Sequence, residues 1–156
     1  MISWSGAFAC GIRQIDDQHK TLVNLVNDMF NHVSGNEEEE QKYLRAVLKE
    51  AAKYVKIHFA TEEKIFIATR FSGYDEHKAV HDSFILVVTE QIRAFQDGKR
   101  ISLYNLTNYL KDWVLTHIAA MDRQYFVYLR GLATRKADGK LTISKKDVMQ
   151  KLSSKE

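Results

Sequence analysis

The chain has no proline, one cysteine and only seven glycines in 156 residues, and each scarcity removes a class of structure. Without proline nothing interrupts a helix from within, and with so little glycine few positions ask for a left-handed backbone, so long helices are free to run. The single thiol, Cys10, excludes an internal disulfide and any cysteine-based metal cluster. No stretch of apolar residues is long enough to cross a bilayer as a helix, and the opening segment MISWSGAFACGIRQID lacks the basic-then-apolar order of a signal peptide. The expectation is a soluble, cytoplasmic protein with no membrane insertion.

What is present is ordinary for a globular domain: 45% hydrophobic and 28% charged residues, in a length that supports one compact core. Charge is uneven. Residues 131–156 carry seven Lys or Arg against three Asp or Glu, a net of +4, which leaves −1 for residues 1–130 out of the chain's +3. The reading is a bundle domain over 1–130 and a basic C-terminal extension over 131–156, in the first place a solvated tail and in the alternative a docking point for a protein partner. The extension has no aromatic residue to stack on bases, and no nucleic-acid partner is expected.

Apolar residues recur at helical spacing in four segments. After an apolar N-terminal arm containing Trp4, Phe8, Ile12 and Ile15, Asp16 is expected to cap a first helix whose stripe is His19, Leu22, Val23, Val26, Met29, Phe30 and Val33, ending near Gly35. His32 falls off this stripe and reads as a surface residue. The acidic run Glu37–Glu40 opens a second helix, where carboxylates favour the positive end of the dipole. Its stripe is Leu44, Val47, Leu48, Ala51, Val55, His58, Phe59, Glu62 and Phe66. Ser72 and Gly73 turn the chain into a third helix with His77, Val80, His81, Phe84, Val88, Ile92 and Phe95. Asp97 and Gly98 end it, and Ser102 caps a fourth carrying Leu103, Leu106, Leu110, Trp113, Val114, His117 and Ile118. Four helices joined by short loops predict an all-α, up-and-down antiparallel four-helix bundle. A short further helix is expected from Ser144 to Leu152.

The chemistry lies in the polar residues that interrupt these stripes: His19, His58, Glu62, His77, His81, His117 and Asp122. His58 with Glu62, and His77 with His81, are spaced i, i+4, which separates two side chains by only about 40° around a helix and about 6 Å along it. One such pair is ordinarily a solvated helix face. Several imidazoles on apolar stripes of four helices are not, because a buried polar group without a partner is costly. Nitrogen and carboxylate oxygen together suit divalent iron, manganese or zinc. Two ions sharing Glu62 and Asp122 use every donor, and a bridging hydroxide or oxide brings the charge near neutrality. His117 and Asp122 are five apart, about 140° on a regular α-helix. A local π-type widening would bring them to one face.

The motifs GIRQIDDQH (11–19), HFATEE (58–63), HKAVH (77–81) and WVLTHIAAMD (113–122) resemble those of the hemerythrins, in particular the single-domain bacteriohemerythrins, over about residues 2–130. The resemblance implies two iron ions joined by an oxo or hydroxo bridge, with His77, His81 and His117 on one and His19 and His58 on the other. Glu62 and Asp122 would bridge, and the second iron would keep an open position for reversible dioxygen binding. Leu22, Phe59, Trp113, Val114 and Ile118 match the positions that line the family's oxygen pocket, and each also reads as plain core packing. The implied function is oxygen carriage, storage or supply without catalysis. The alternatives are an oxygen or redox sensor acting through a partner, or a di-iron enzyme such as a peroxidase or nitric-oxide or oxygen scavenger. Oxygen-activating bundles are carboxylate-rich with Glu-x-x-His pairs, whereas this set is rich in histidine.

Two positions depart from the family pattern: Val114 stands where leucine usually follows the tryptophan, and Phe66 where HFxxEExxM usually ends in methionine. A valine removes a methylene beside the pocket and eases water access. Val114→Leu should therefore slow spontaneous decay of the oxygenated protein, followed in its visible spectrum; an unchanged or faster decay contradicts this role.

Overall fold

The computed structural model of the protein describes the backbone of residues 1–137 and the side chains of residues 1–132. Helix α1 spans Arg13–His32, α2 Glu37–Thr69, α3 Tyr74–Gln96 and α4 Leu103–Thr116. A π-helical segment, His117–Asp122, joins α4 to α5, Arg123–Ala137, so the last three form one continuous rod. The result is the expected four-helix bundle: α1 packs against α2 and α4, and α3 against α2. Phe84 of α3 meets Trp113 of α4 with ring centroids 4.1 Å apart.

Local chemistry sets most of the boundaries. Asn36 caps α2 by accepting from the Glu39 N–H, and Ser102 caps α4 by accepting from Asn105. Glu40, within the acidic run, also holds the preceding loop by accepting from the Ser34 and Gly35 N–H groups, at 2.9 Å each. Gly98, at φ 76°, lets α3 close with a bond from Lys99 N–H to the Ala94 carbonyl. Arg70 performs the same left-handed turn after α2 at φ 54°, unusual for a residue with a Cβ.

One boundary differs from the sequence reading. Helix α1 begins three residues before Asp16, since the Asp16 N–H already bonds to the Ile12 carbonyl. The Asp16 carboxylate is not the cap; it reaches back from the first turn to accept from Cys10 N–H at 2.7 Å and Gly11 N–H at 3.1 Å. At the other end, α5 runs through the 130/131 position to Ala137, with Leu132 buried. The expected Ser144–Leu152 helix lies outside the described residues.

The buried apolar side chains form two clusters. The larger one includes Leu22, Val26, Met29, Leu44, Phe59, Leu110, Val114 and Ile118; the smaller contains Cys10, Ile12, Ile15, Ile65, Phe66, Tyr125 and Phe126. Along α1, α2 and the fourth rod, His19, Glu62 and Asp122 fall in sequence between members of these two sets, and His58 and His117 sit at the near edge of the larger one. The N-terminal arm is ordered against the body by Ile2 and Phe8, and by paired bonds between Asn27 and the Ile2 backbone. Asp16 fastens the end of that arm. Asp16→Ala should lower stability by about 1.5–3 kcal/mol, the range for hydrogen bonds to a charged acceptor, and speed amide exchange at Cys10 and Gly11. Unaltered exchange at those two amides would show that the arm is held elsewhere.

Candidate metal centre

All seven polar residues singled out in the sequence are buried, none with more than 2% of its surface exposed. The structure brings them together. One group, Glu62, His77, His81 and His117, and a second, His19, His58, Glu62 and Asp122, each present one ligand atom per residue within 4.8 Å of the others. Glu62 belongs to both groups. Its Oε2 is 3.2 Å from His81 Nε2 and 3.5 Å from His58 Nε2. Asp122 faces both sides as well: Oδ1 lies 3.1 Å from Nε2 of both His77 and His117, and Oδ2 lies 3.1 Å from His19 Nε2.

Helix geometry explains the convergence. Helix α2 supplies His58 and Glu62 one turn apart, α3 supplies His77 and His81 likewise, and α1 supplies His19. The fourth rod supplies His117 and Asp122 from the two ends of the π-helical segment, whose wider turn puts residues five apart on one face.

Hydrogen bonds behind the rings fix which nitrogen faces inward. His19 Nδ1 donates to the Phe8 carbonyl at 3.2 Å, His58 Nδ1 to Gln18 Oε1 at 3.1 Å, and His81 Nδ1 faces Glu63 Oε1 at 3.5 Å. With the proton on Nδ1, each Nε2 lone pair points at the centre. His117 Nε2 then lies 3.3 Å from His77 Nε2 and 3.2 Å from His81 Nε2. Nε2 of His19 and His58 and both carboxylate oxygens of Glu62 and Asp122 have no hydrogen bond. Lone pairs and carboxylates turned on one another in a dry interior repel, and a cation between them removes that repulsion. The residues therefore fit divalent cations held by nitrogen and oxygen.

Without ions, burial and the two carboxylates pull the imidazoles in opposite directions. Burial drives His58 down to about 4 despite the nearby Glu62 carboxylate. Burial also opposes charge on His77, but Asp122 and Glu62 outweigh it and hold that ring at about 9. Burial and the neighbouring Glu62 would both raise Asp122, yet His117, His19 and His77 hold it down at about 2. Glu62 is likewise held well below its ordinary value, burial being outweighed by His58, His117, His77 and His81.

Of the residues expected around an oxygen pocket, Phe59 stacks on His81 at 3.7 Å between centroids and Trp113 on His117 at 4.2 Å, both nearly parallel. Leu22, Val114 and Ile118 are buried in the same apolar cluster, and Trp113 is half-buried against it. A groove of about 440 Å³ between α1 and α2 reaches the centre, lined by Gln18, Leu22, Leu25, Tyr54, Ile57 and His58 among others. Of the five expected pocket residues, Leu22 alone lines it. Sequence reasoning missed Gln18, Glu63, Tyr54 and the Phe8 carbonyl. Gln18 and Glu63 sit beside histidine or glutamate in the quoted motifs, but which imidazole each would meet depends on helix packing. His32, as expected, is exposed, stacked on Tyr43 and bonded to the Asp28 carbonyl.

The hemerythrin HHE cation binding domain matches residues 10–129. Over 127 residues the chain is 30% identical to the bacteriohemerythrin of Methylococcus capsulatus, spanning 80% of this chain and 94% of that protein. It is 30% identical to the bacteriohemerythrin of Pseudomonas aeruginosa over 78% of this chain and 77% of that one. The hemerythrin-like protein of Naegleria gruberi is 26% identical over 79% of this chain and 89% of its own length. A crystal structure of wild-type hemerythrin superposes with a TM-score of 0.69 at 29% identity, covering 80% of this chain and 95% of that one. With the family's cation-binding domain matched along most of its length, and a bundle that superposes on a solved hemerythrin, the chain belongs to the hemerythrin family.

Proposed function

We propose that this chain holds two iron ions and binds dioxygen reversibly at them, as a carrier, store or local supplier and not as a catalyst. His77, His81 and His117 would hold one iron and His19 and His58 the other, with Glu62 and Asp122 shared and an oxo or hydroxo bridge completing the charge balance. The observation that carries the reading is the pair of buried donor groups meeting at Glu62, with the two Asp122 oxygens turned to histidines of different groups. When bound, the iron pair supplies the electrons that dioxygen takes up and returns.

The chain's own residues do the rest. Three histidines on one side and two on the other would leave the second ion short of a protein ligand, which would give a gas somewhere to bind. Leu22, Phe59, Trp113, Val114 and Ile118 keep the surroundings apolar and exclude water; Phe59 and Trp113 also fix the planes of His81 and His117 by stacking. The preponderance of imidazole over carboxylate favours binding over oxygen activation, since fewer anionic ligands stabilise high oxidation states less. Among the described residues no helix is long and apolar enough to cross a membrane, in keeping with a cytoplasmic protein. The basic extension remains our candidate for contact with a partner protein.

Anaerobic reduction followed by exposure to air should produce a ligand-to-iron charge-transfer band that disappears on deoxygenation and returns over repeated cycles. Immediate, permanent oxidation without the band would point to an enzyme or redox sensor instead.

Proton competition gives a second test. In the stripped protein His77, held at about 9, contributes stability that is complete below its ordinary 6.5 and lost as pH rises through 9. His58, depressed to about 4, favours folding above 6.5 and loses that contribution as pH falls towards 4. Stripped protein should therefore be most stable near neutrality, by denaturant midpoint across pH. Loading with Zn²⁺ should abolish the alkaline decline, because a bound cation keeps the imidazoles deprotonated in the folded state. Equal alkaline decline with and without Zn²⁺ would contradict the donor assignment.

A further inference from the structure

The groups behind the imidazoles differ between the two halves of the centre. On the two-histidine side, His58 Nδ1 donates to Gln18 Oε1 at 3.1 Å, Gln18 Nε2 donates to Thr61 Oγ1 at 3.2 Å, and Thr61 donates its hydroxyl proton to the Ile57 carbonyl at 2.7 Å. A hydroxyl has one proton. With that proton committed to Ile57, the Thr61 oxygen can only accept, so the amide nitrogen of Gln18 must face Thr61 and its oxygen must face His58. The ring is then obliged to carry its proton on Nδ1, which leaves Nε2 bare towards Glu62. Ile57 is one residue from His58 on the same helix, so the chain of bonds is anchored to the backbone that carries the ligand. Its partner on this side, His19, is backed by the Phe8 carbonyl, also neutral.

The three-histidine side has a charged counterpart. His81 Nδ1 faces the Glu63 carboxylate at 3.5 Å, and Glu63 is itself only a quarter exposed. A carboxylate behind an imidazole draws its proton, makes the opposite nitrogen a stronger donor and stabilises the more positive state of a bound metal; an amide oxygen orients the ring with much less of this effect.

We propose that Gln18 is a positioning residue of the centre: through the Thr61–Gln18–His58 chain it imposes the His58 tautomer that can accept a cation. By being neutral where Glu63 is anionic, it also keeps the His19/His58 half the more easily reduced of the two. The inference rests on the two-cation reading of the centre proposed above. Gln18 is only half-buried and lines the open groove, so it can be changed without opening the apolar core.

The test uses the full chain loaded anaerobically with ferrous iron, comparing the parent with Gln18→Met and Gln18→Glu. Methionine nearly matches glutamine in shape and has no oxygen for the His58 N–H. It should weaken binding of one of the two cations by about 10–100-fold, the usual cost of losing an outer-shell partner. Glutamate keeps an acceptor, so Gln18→Glu should retain two cations per chain while its midpoint potential, read by spectroelectrochemical titration, moves lower. A residue that merely filled space would leave potential and loading unmoved. Unchanged iron affinity in Gln18→Met, or an unchanged or raised potential in Gln18→Glu, overturns the proposal. If circular dichroism shows Gln18→Met unfolded, the potential of Gln18→Glu decides. A parent chain that binds fewer than two cations defeats the reading of the centre itself, which is a distinct outcome from a normal parent with insensitive variants.

Discussion

Five imidazoles and two carboxylates, all shut away from water, occupy one level of a bundle that is apolar on either side of them. Hydrophobic burial cannot account for that level, because taking these groups out of solvent works against folding unless they are compensated. Mutual ion pairing compensates only in part. His77 and Asp122 are held charged by one another, whereas His58 is driven neutral, and carboxylate oxygens and ring nitrogens of the centre are left without a hydrogen bond. Cations would resolve this conflict, and the grouping of the donor atoms could hold them.

Three structural devices make the presentation accurate. Single-turn pairs on α2 and α3 aim two heads each along one direction, so packing those helices side by side brings four donors together. The π-helical segment adds His117 and Asp122 without breaking the fourth rod. The Nδ1 partners of His19, His58 and His81 then fix those rings, so that convergence of helices becomes convergence of lone pairs. The N-terminal arm shares in this last task. It supplies the Phe8 carbonyl to His19, and Asp16 secures the end of that arm through two backbone N–H groups.

Aromatic packing connects the centre to the larger apolar cluster. Phe59 lies flat on His81 and Trp113 on His117, and Phe84 closes against both Phe59 and Trp113. The same side chains that fill the core are therefore those that hold the imidazole planes and keep water from them. Phe59 and Trp113 thus pack in the core and stack on imidazoles at once.

The sequence by itself determined the four helices, their buried faces, the Glu37–Glu40 and Ser102 starts, and the break in register between His117 and Asp122, because helical periodicity is a local property written in spacing. It also identified the buried polar set, since histidines that continue an apolar stripe must be buried with it. Tertiary structure decided what spacing cannot express: that Asp16 binds the arm and does not cap α1, that α5 carries past residue 130, and that Gln18 stands behind His58 while Glu63 stands behind His81. Those contacts join residues on different helices or on opposite sides of a turn. Their identity follows from how the helices rotate and slide when the apolar faces close, and no periodicity along one strand of sequence contains that information.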